Sequence, residues 1–177
     1  LGGMVMNRLL KTGGEDFDQA ITGLVRHTQD FLIGTLTAER LRREFGVFEQ
    51  STGSSIRVSG RNLVTGVPAQ AEISISLVRA AMKDPLEECA HAIRSMLERT
   101  PPDVRRAIEG KGICLTGGMA NLKGLSTYLQ ESIGLRVMTV SEPQLCAVRG
   151  LQKIILDRDY YKRLTYSMLD EDYRWLR

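Results

Sequence analysis

The fold is decided by the stretch ICLTGGMAN, which runs from Ile113 to Asn121. Its first three residues are apolar and predict a buried strand, and Gly117-Gly118 then allow a tight turn into a helix over residues 121–133. A second strand is expected over residues 135–140, followed by a helix with apolar positions at helical spacing up to residue 155. This order of strands and helices predicts a mixed α/β sheet whose ligand lies beyond the carboxyl ends of the strands.

Two helices are predicted upstream of this stretch. Residues 4–10 are apolar enough for a strand, which would end before a helix with an acidic start at Glu15. The apolar positions of that helix recur at helical spacing, at Ile21, Leu24, Val25 and Leu32. A shorter helix would begin after Thr37, a good N-cap residue, and end at Gly46, a good C-terminal stop.

The segment between the short helix and the deciding stretch has a different pattern. Apolar residues alternate with polar ones at both ends of residues 55–76, and Gly60-Arg61-Asn62 is typical of a turn, which together predict a small antiparallel insert. A long helix is then expected from Asp84-Pro85, an N-cap followed by proline at the first helical position. Pro101-Pro102 would stop it after Thr100.

Composition excludes several classes of function. The 177 residues include 24 basic and 21 acidic ones, and the net charge of +3 is too small and too scattered to predict nucleic-acid binding. Cys89, Cys114 and Cys146 are far apart among apolar neighbours, so we interpret them as reduced core residues rather than as zinc ligands or a disulfide. No apolar run approaches the roughly 18 residues of a membrane span, and no secretion signal is recognised, so we expect a soluble, cytoplasmic chain.

Two local features carry chemistry, and each has a structural alternative. The Gly117-Gly118 turn would let backbone approach a flat ligand, but a turn of this kind is equally a packing device between strand and helix. Glu39 and Arg42 share a helix face at a spacing of three residues, where they would either line a site or simply pair at the surface.

Several further segments occur in a recognisable order. They are Leu1-Gly2-Gly3-Met4-Val5, Gly13-Gly14-Glu15-Asp16-Phe17-Asp18-Gln19-Ala20-Ile21, Thr37-Ala38-Glu39-Arg40-Leu41, Ser59-Gly60-Arg61-Asn62-Leu63 with Gly66-Val67-Pro68, Thr100-Pro101-Pro102, Leu115-Thr116-Gly117-Gly118 and residues 143–150. From residue 1 to about residue 152 the chain resembles the MreB family of bacterial actin-like proteins. The first segment is similar to the turn that follows the family's second phosphate strand. Because Leu1-Gly2-Gly3 is already a turn that leads into the apolar residues 4–10, we expect a cut edge here rather than a natural start.

The resemblance implies an α/β fold. It is the ribonuclease-H-like lobe of an actin/Hsp70-type ATPase, incomplete because its first strands are missing, with an inserted small α+β subdomain. Residues 1–33 and 110–156 would form subdomain IIA, and residues 34–109 would form the inserted subdomain IIB, with an ATP cleft between the two. Residues 157–177 would be a C-terminal tail, either an amphipathic helix docked on the last lobe or a disordered or partner-binding segment.

The resemblance also implies an adenosine site. Glu39 would accept hydrogen bonds from ribose hydroxyls, while the guanidinium of Arg42 would lie against the adenine face. On the other side, the predicted contacts are Gly117, Gly118, Met119 and Ala120. The family usually has a third glycine at the position of Met119 and often a lysine at that of Arg42, and residues 146–148 depart from its second connecting motif.

No Asp-x-Gly sequence occurs in the chain, although actin-like ATPases hold phosphates and Mg²⁺ with two such loops. We therefore predict no catalytic and no metal-binding residues here. The intact parent would be an ATPase that binds ATP with Mg²⁺, whereas this chain alone would bind nucleotide weakly or not at all and would not hydrolyse it.

As implied by the family, the parent would polymerise into protofilaments and direct cell shape. A membrane-anchored partner of the RodZ type would bind subdomain IIA, and membrane association would come through such partners or through the missing N-terminal half rather than by insertion of this chain. Two alternatives stay open: an Hsp70-like chaperone lobe, and a degenerate stand-alone module that binds filaments or partners without nucleotide.

Overall fold

The computed structural model describes residues 5–47 and 54–157. Within these ranges the chain forms six α-helices and five strands, together with two short 3₁₀ turns at Gly118–Asn121 and Pro143–Leu145. The elements in chain order are α1 (Gly14–Gln29), β1 (Phe31–Leu32), α2 (Thr35–Phe45), β2 (Ser55–Asn62), β3 (Pro68–Ser74), α3 (Ile75–Arg99), α4 (Pro102–Lys111), β4 (Ile113–Leu115), α5 (Leu125–Ile133), β5 (Val137–Thr139) and α6 (Cys146–Leu156).

Helix α1 begins at a satisfied N-terminus. The carboxylate of Asp16 accepts a hydrogen bond from the backbone N–H of Gly13 at 2.7 Å, and Glu15 adds a second negative charge to the first turn. Asp30 ends the helix in the left-handed conformation, with a φ of 49°. This reversal lets the chain turn back, so that β1 pairs with β2.

The first sheet has three antiparallel strands in the order β1-β2-β3. Ser55 pairs with Ser74 at one end of the β2–β3 hairpin and Arg61 with Pro68 at the other, so the turn lies over residues 62–67. Ser74 caps α3, because its hydroxyl accepts a hydrogen bond from the backbone N–H of Leu77. The sheet therefore leads without a break into the longest helix of the chain.

The second sheet consists of two parallel strands, β4 and β5, in which Ile113 pairs with Val137 and Leu115 with Thr139. The connection between them passes through the glycine turn and α5, as a parallel pair requires. Helices α4 and α6 flank this unit without contributing a buried residue.

One hydrophobic core joins the two sheets and the helices. Its largest fully buried side chains come from α1, α2, α3 and the β2–β3 hairpin: Phe17, Ile21, Leu41, Ile73, Met82, Val25, Val58 and Val78. Only four buried members lie beyond residue 120, namely Leu122, Leu125, Leu129 and Val137. The core is therefore centred on the N-terminal two thirds of the described chain.

Several predictions of secondary structure were wrong in detail. Residues 5–10 form no strand, because no neighbouring strand is present among the described residues to accept their hydrogen bonds. Helix α3 begins ten residues before the predicted Pro85 and accommodates that proline inside it, and α2 begins at Thr35 rather than after Thr37. Residues 60–62 belong to β2 rather than to a turn.

The interpretation of the three cysteines as core residues was wrong, since Cys114 is exposed and Cys89 and Cys146 are half-buried. The predicted helix over the C-terminal tail lies outside the described residues, except for Asp157. No helix within the described ranges is both long and apolar enough to cross a bilayer.

Candidate functional site

A cavity of about 540 Å³ opens where the start of α1, the last turn of α2 and the glycine turn meet. These three elements are remote in sequence and are brought together by the fold. The residues that line the cavity are Gly14, Arg42, Arg43, Gly118, Met119, Asn121, Leu122 and Gln144.

The wall of the cavity contains a buried ion pair. The Nε of Arg42 donates to Oδ1 of Asp18 at 2.7 Å, and its Nη2 donates to Oδ2 at 3.1 Å. Arg42 is 7% exposed and Asp18 is 8% exposed, and they are the two buried charged residues within the described ranges. The fork-like geometry fixes the guanidinium and ties α2 to α1.

The remaining edge of the guanidinium contacts sulfur. Nη1 of Arg42 lies 3.1 Å from Sδ of Met119, which reaches across from the glycine turn. The start of α1 borders this contact, because a Cβ placed on Gly14 would lie in ordinary van der Waals contact with both groups, 3.4 Å from Nη2 of Arg42 and 3.5 Å from the Met119 sulfur. Three elements thus converge within contact distance at one point of the cavity wall.

The glycine turn is open on the side where a ligand would approach. Gly117 has a φ of +84°, which favours glycine, and its backbone N–H donates to the carbonyl oxygen of Pro143 at 2.8 Å. Gly118 has no such constraint, and a Cβ added to it would meet nothing within 4 Å. Packing does not account for the glycine at position 118, in contrast to Gly46, where a Cβ would lie 2.6 Å from Lys123.

The end of α2 is anchored to the segment that follows the turn. The backbone N–H of Val47 donates to the carbonyl oxygen of Lys123 at 2.7 Å, and the close approach at Gly46 lies beside this hydrogen bond. On the opposite rim, the amide of Asn121 donates to Oε1 of Gln144 at 2.8 Å. The rim therefore offers two neutral amides, while the buried pair of Arg42 and Asp18 lies in the wall.

The structure brings together part of the predicted site. Of the six predicted residues, Arg42, Gly118 and Met119 line the cavity, whereas Gly117 and Ala120 lie in the same turn without lining it. Glu39 lines a neighbouring, more open cavity of about 410 Å³, and Arg43 borders both.

The alternative of a surface pair between Glu39 and Arg42 was wrong. Glu39 pairs instead with Arg43 at 2.6 Å, one helical turn further on, and Arg42 points inward to Asp18. Arg42 consequently has its charge neutralised by Asp18 rather than exposed beside the cavity.

Sequence reasoning missed six contributors: Gly14, Asp18, Arg43, Asn121, Leu122 and Gln144. Asp18 carried a signal, because a charged residue directly beside Phe17 on the buried face of an amphipathic helix must find a partner. Asn121 and Gln144 carried none, since they come together only through the packing of two short 3₁₀ turns.

Comparison with known proteins places these features in a family. The family model described as MreB/Mbl protein matches residues 1–163. Cell shape-determining protein MreB of Escherichia coli (strain K12) is 36% identical over 151 residues, and cell shape-determining protein Mbl of Bacillus subtilis (strain 168) is 30% identical over 151 residues. Each alignment covers 85% of this chain but only 44% and 45% of the relative's length, so the chain spans under half of these curated relatives.

Comparison with solved structures leads to the same family. MreB5 of Spiroplasma citri, bound to AMPPNP, matches with a TM-score of 0.84 and 26% identity, covering 92% of this chain and 49% of that one. The same protein has also been solved with ADP. A double helical filament of MamK matches at a TM-score of 0.67 and 18% identity, a likeness of fold alone.

Proposed function

The chain belongs to the MreB/Mbl protein family, and we propose that it forms the adenosine side of the nucleotide cleft of an actin-like cell-shape protein. The observation that carries this proposal is the single cavity shared by α2 and the glycine turn, two elements more than 70 residues apart. Further support comes from the relative of known structure that binds AMPPNP and ADP.

The groups around the cavity suit a nucleoside. Asn121 and Gln144 offer neutral amides, the open backbone at Gly118 would admit a flat ring, and the guanidinium edge of Arg42 is a hydrogen-bond donor. In this proposal Glu39 accepts from ribose hydroxyls at the neighbouring opening, while Gly117 and Ala120 set the course of the turn. The described residues contain no cluster of acidic or histidine side chains that could hold a metal ion.

Phosphates and Mg²⁺ would therefore be held by the rest of a longer parent. There, ATP would close two lobes around the cleft, the closed form would stack into protofilaments, and hydrolysis would loosen them. In this proposal subdomain IIA consists of residues 1–33 and 110–156, and subdomain IIB consists of residues 34–109. The adenosine part of the cleft would lie between these two subdomains.

Membrane association belongs to the same proposal. It would come through a membrane-anchored partner of the RodZ type that binds subdomain IIA, and this chain would keep that surface. Mixing the purified chain with the cytoplasmic domain of such a partner should give a complex in size-exclusion chromatography. Two separate peaks at high concentration would contradict this part of the proposal.

The test of the adenosine site is a titration of the 177-residue chain with adenosine nucleotides, followed by NMR. We expect saturable shifts in residues of the glycine turn with a dissociation constant of about 1 mM, a weak affinity because most charge-assisted phosphate contacts are missing. Guanosine nucleotides at equal concentration provide the ligand control.

Gly118→Leu and Gly110→Leu form a matched pair of variants. A Cβ at either glycine meets nothing within 4 Å, so both variants should fold, but only position 118 borders the cavity. We expect Gly118→Leu to abolish binding and Gly110→Leu to leave it intact. Equal binding by both variants, or no shifts in the wild-type chain at about ten times the expected constant, would refute an adenosine site here.

A further inference from the structure

Arg42 has hydrogen-bonding capacity that its protein partners do not use. A guanidinium carries five N–H donors, and Asp18 accepts one from Nε and one from Nη2. The recorded contact of Nη1 within the described residues is the Met119 thioether, which is a weak acceptor. Arg42 is 93% buried and lines the cavity, so the cavity is the side from which a ligand would reach its guanidinium.

The charge of this edge is already compensated. The carboxylate of Asp18 binds the opposite side of the guanidinium at 2.7 and 3.1 Å, so the pair is neutral as a whole. A neutral pair attracts an anion weakly but still offers directed N–H groups. The edge therefore suits an uncharged acceptor, such as a ribose hydroxyl or a purine ring nitrogen, better than a phosphate.

This geometry changes the role expected of Arg42. The sulfur of Met119 lies 3.1 Å from Nη1 in the position of a hydrogen-bond acceptor, so it occupies the place that an in-plane acceptor of the ligand would take. A donor in the plane of the guanidinium needs only that the thioether gives way, and methionine is the most adaptable of the apolar side chains.

We infer that Asp18 is a positioning residue that holds Arg42 as an in-plane hydrogen-bond donor to the uncharged nucleoside part of the ligand, and that Met119 covers this donor until the ligand displaces it. The inference rests on the proposed function and assigns roles to Asp18 and Met119 within the same cavity.

The first test removes the cover. Met119→Ala should raise the affinity for adenosine and for ATP by the same factor, about threefold to tenfold, because the ligand no longer has to displace the thioether from Nη1 of Arg42. Met96→Ala is the control, since Met96 lies in a different cavity on α3. An equal factor for both ligands indicates that the new contact does not involve phosphate.

The second test removes the positioning. Asp18→Asn should lower the affinity for adenosine and ATP about tenfold, and Asp18→Glu should restore part of it by keeping the carboxylate. The discriminating measurement is the double variant Asp18→Asn with Met119→Ala. If Asp18 aims the donor, the gain from Met119→Ala disappears in this background, whereas a merely structural Asp18 leaves that gain intact.

Circular dichroism establishes that each variant is folded, and Met119→Ala alone still decides the question if Asp18→Asn does not fold. Wild-type binding that is unchanged within twofold in Met119→Ala overturns the inference while the adenosine site stands. Absence of adenosine binding in both the wild-type chain and Met119→Ala overturns the proposed function and the inference together.

Discussion

The two ends of the described chain differ in how they are stabilised. The N-terminal region, from α1 to α3, contains all of the large described side chains that are less than 2% exposed, including Phe17, Leu41 and Met82. The C-terminal region, from α4 to α6, has a sheet of only two short strands, and neither α4 nor α6 buries a residue. The first region has its own core, whereas the second extends that core with a few side chains.

Helix α6 makes the contrast plain. Its apolar residues Val148, Leu151 and Ile155 follow one another at helical spacing and are 61–76% exposed. Such a stripe is typical of a buried helix face, yet here it faces solvent. An apolar stripe in the sequence therefore indicates which face of a helix is suited to burial. Whether that face is buried depends on the elements that pack against it.

The largest expected effect is a pair of substitutions, one in each region. Leu41→Ala removes a fully buried side chain beside the cavity and should lower the free energy of unfolding by about 2–5 kcal/mol. Leu151→Ala removes a side chain that is 61% exposed and should change it by less than about 0.5 kcal/mol. Urea denaturation measures both, and a loss at Leu151 as large as that at Leu41 would contradict the contrast.

Glycines should show the same difference on a smaller scale. In β2, a Cβ on Gly60 would lie 2.4 Å from the carbonyl oxygen of Leu32 and 2.5 Å from the ring of Phe31, so Gly60→Ala should destabilise by about 1–3 kcal/mol. In α4, Gly110 has nothing within 4 Å and lies in a helix, so Gly110→Ala should stabilise by about 0.5–1 kcal/mol. Thermal unfolding of the two variants gives the signs, and the same sign for both would show that the regions are equally packed.

The sequence predicted which helices and strands exist better than it predicted the residues at which they begin and end. A strand before the glycine turn and the end of α2 at Gly46 were confirmed, although the strand is not buried as predicted. The end of α3 was predicted at Thr100 and lies one residue earlier, at Arg99. Both helix ends were predicted this closely because proline and glycine act locally. The start of α3 was missed because Pro85 is typical of a helix start, whereas Ser74 actually caps this helix. The strand predicted from the apolar residues 4–10 was wrong over the described residues 5–10, because strand pairing depends on a neighbouring strand and not on the segment itself.

Only some of the residues of the candidate site were predicted from the sequence. Family resemblance led to Arg42 and Gly118, but the orientation of the Arg42 guanidinium depends on Asp18, which is 24 residues earlier on another helix. Met119 replaces a glycine that is usual in the family, and in the structure its sulfur contacts Nη1 of Arg42. The assignment of these residues to a nucleotide site remains a prediction for the titrations above to test.

Thiol reactivity offers a smaller comparison between the regions. Cys89 lies on α3 and is half-buried, and burial raises the pKa of its thiol, so little thiolate forms at neutral pH. Cys114 lies on β4 and is exposed. We expect a maleimide to modify Cys114 well before Cys89, with Cys114→Ser and Cys89→Ser identifying each phase by mass spectrometry. Faster modification of Cys89 would show that α3 is less tightly packed than its burial indicates.

The smallest effect is expected where the two regions meet, at Glu87 of α3. Arg94 donates to one carboxylate oxygen at 2.6 Å, and the hydroxyl of Tyr128 on α5 donates to the other at 3.1 Å. The hydrogen bond from Arg94, followed by that from Tyr128, lowers the pKa of Glu87 below its ordinary value of 4.5. Because the folded-state pKa is the lower one, the carboxylate stabilises the fold above pH 4.5, and this contribution is lost as the pH falls through the lowered value.

Glu87→Gln should therefore reduce stability slightly at neutral pH, since these groups are exposed and screened by solvent. The difference from the wild-type chain should shrink as the pH is lowered past 4.5, because the wild-type carboxylate is then protonated as well. Glu109→Gln is the matched control, since Glu109 pairs with Arg105 within α4 and connects nothing between the regions. Thermal melts from neutral to acidic pH measure the difference. A gap between Glu87→Gln and the wild-type chain that persists at low pH would mean that the Gln side chain itself disturbs the contact between α3 and α5, rather than that the carboxylate stabilises it.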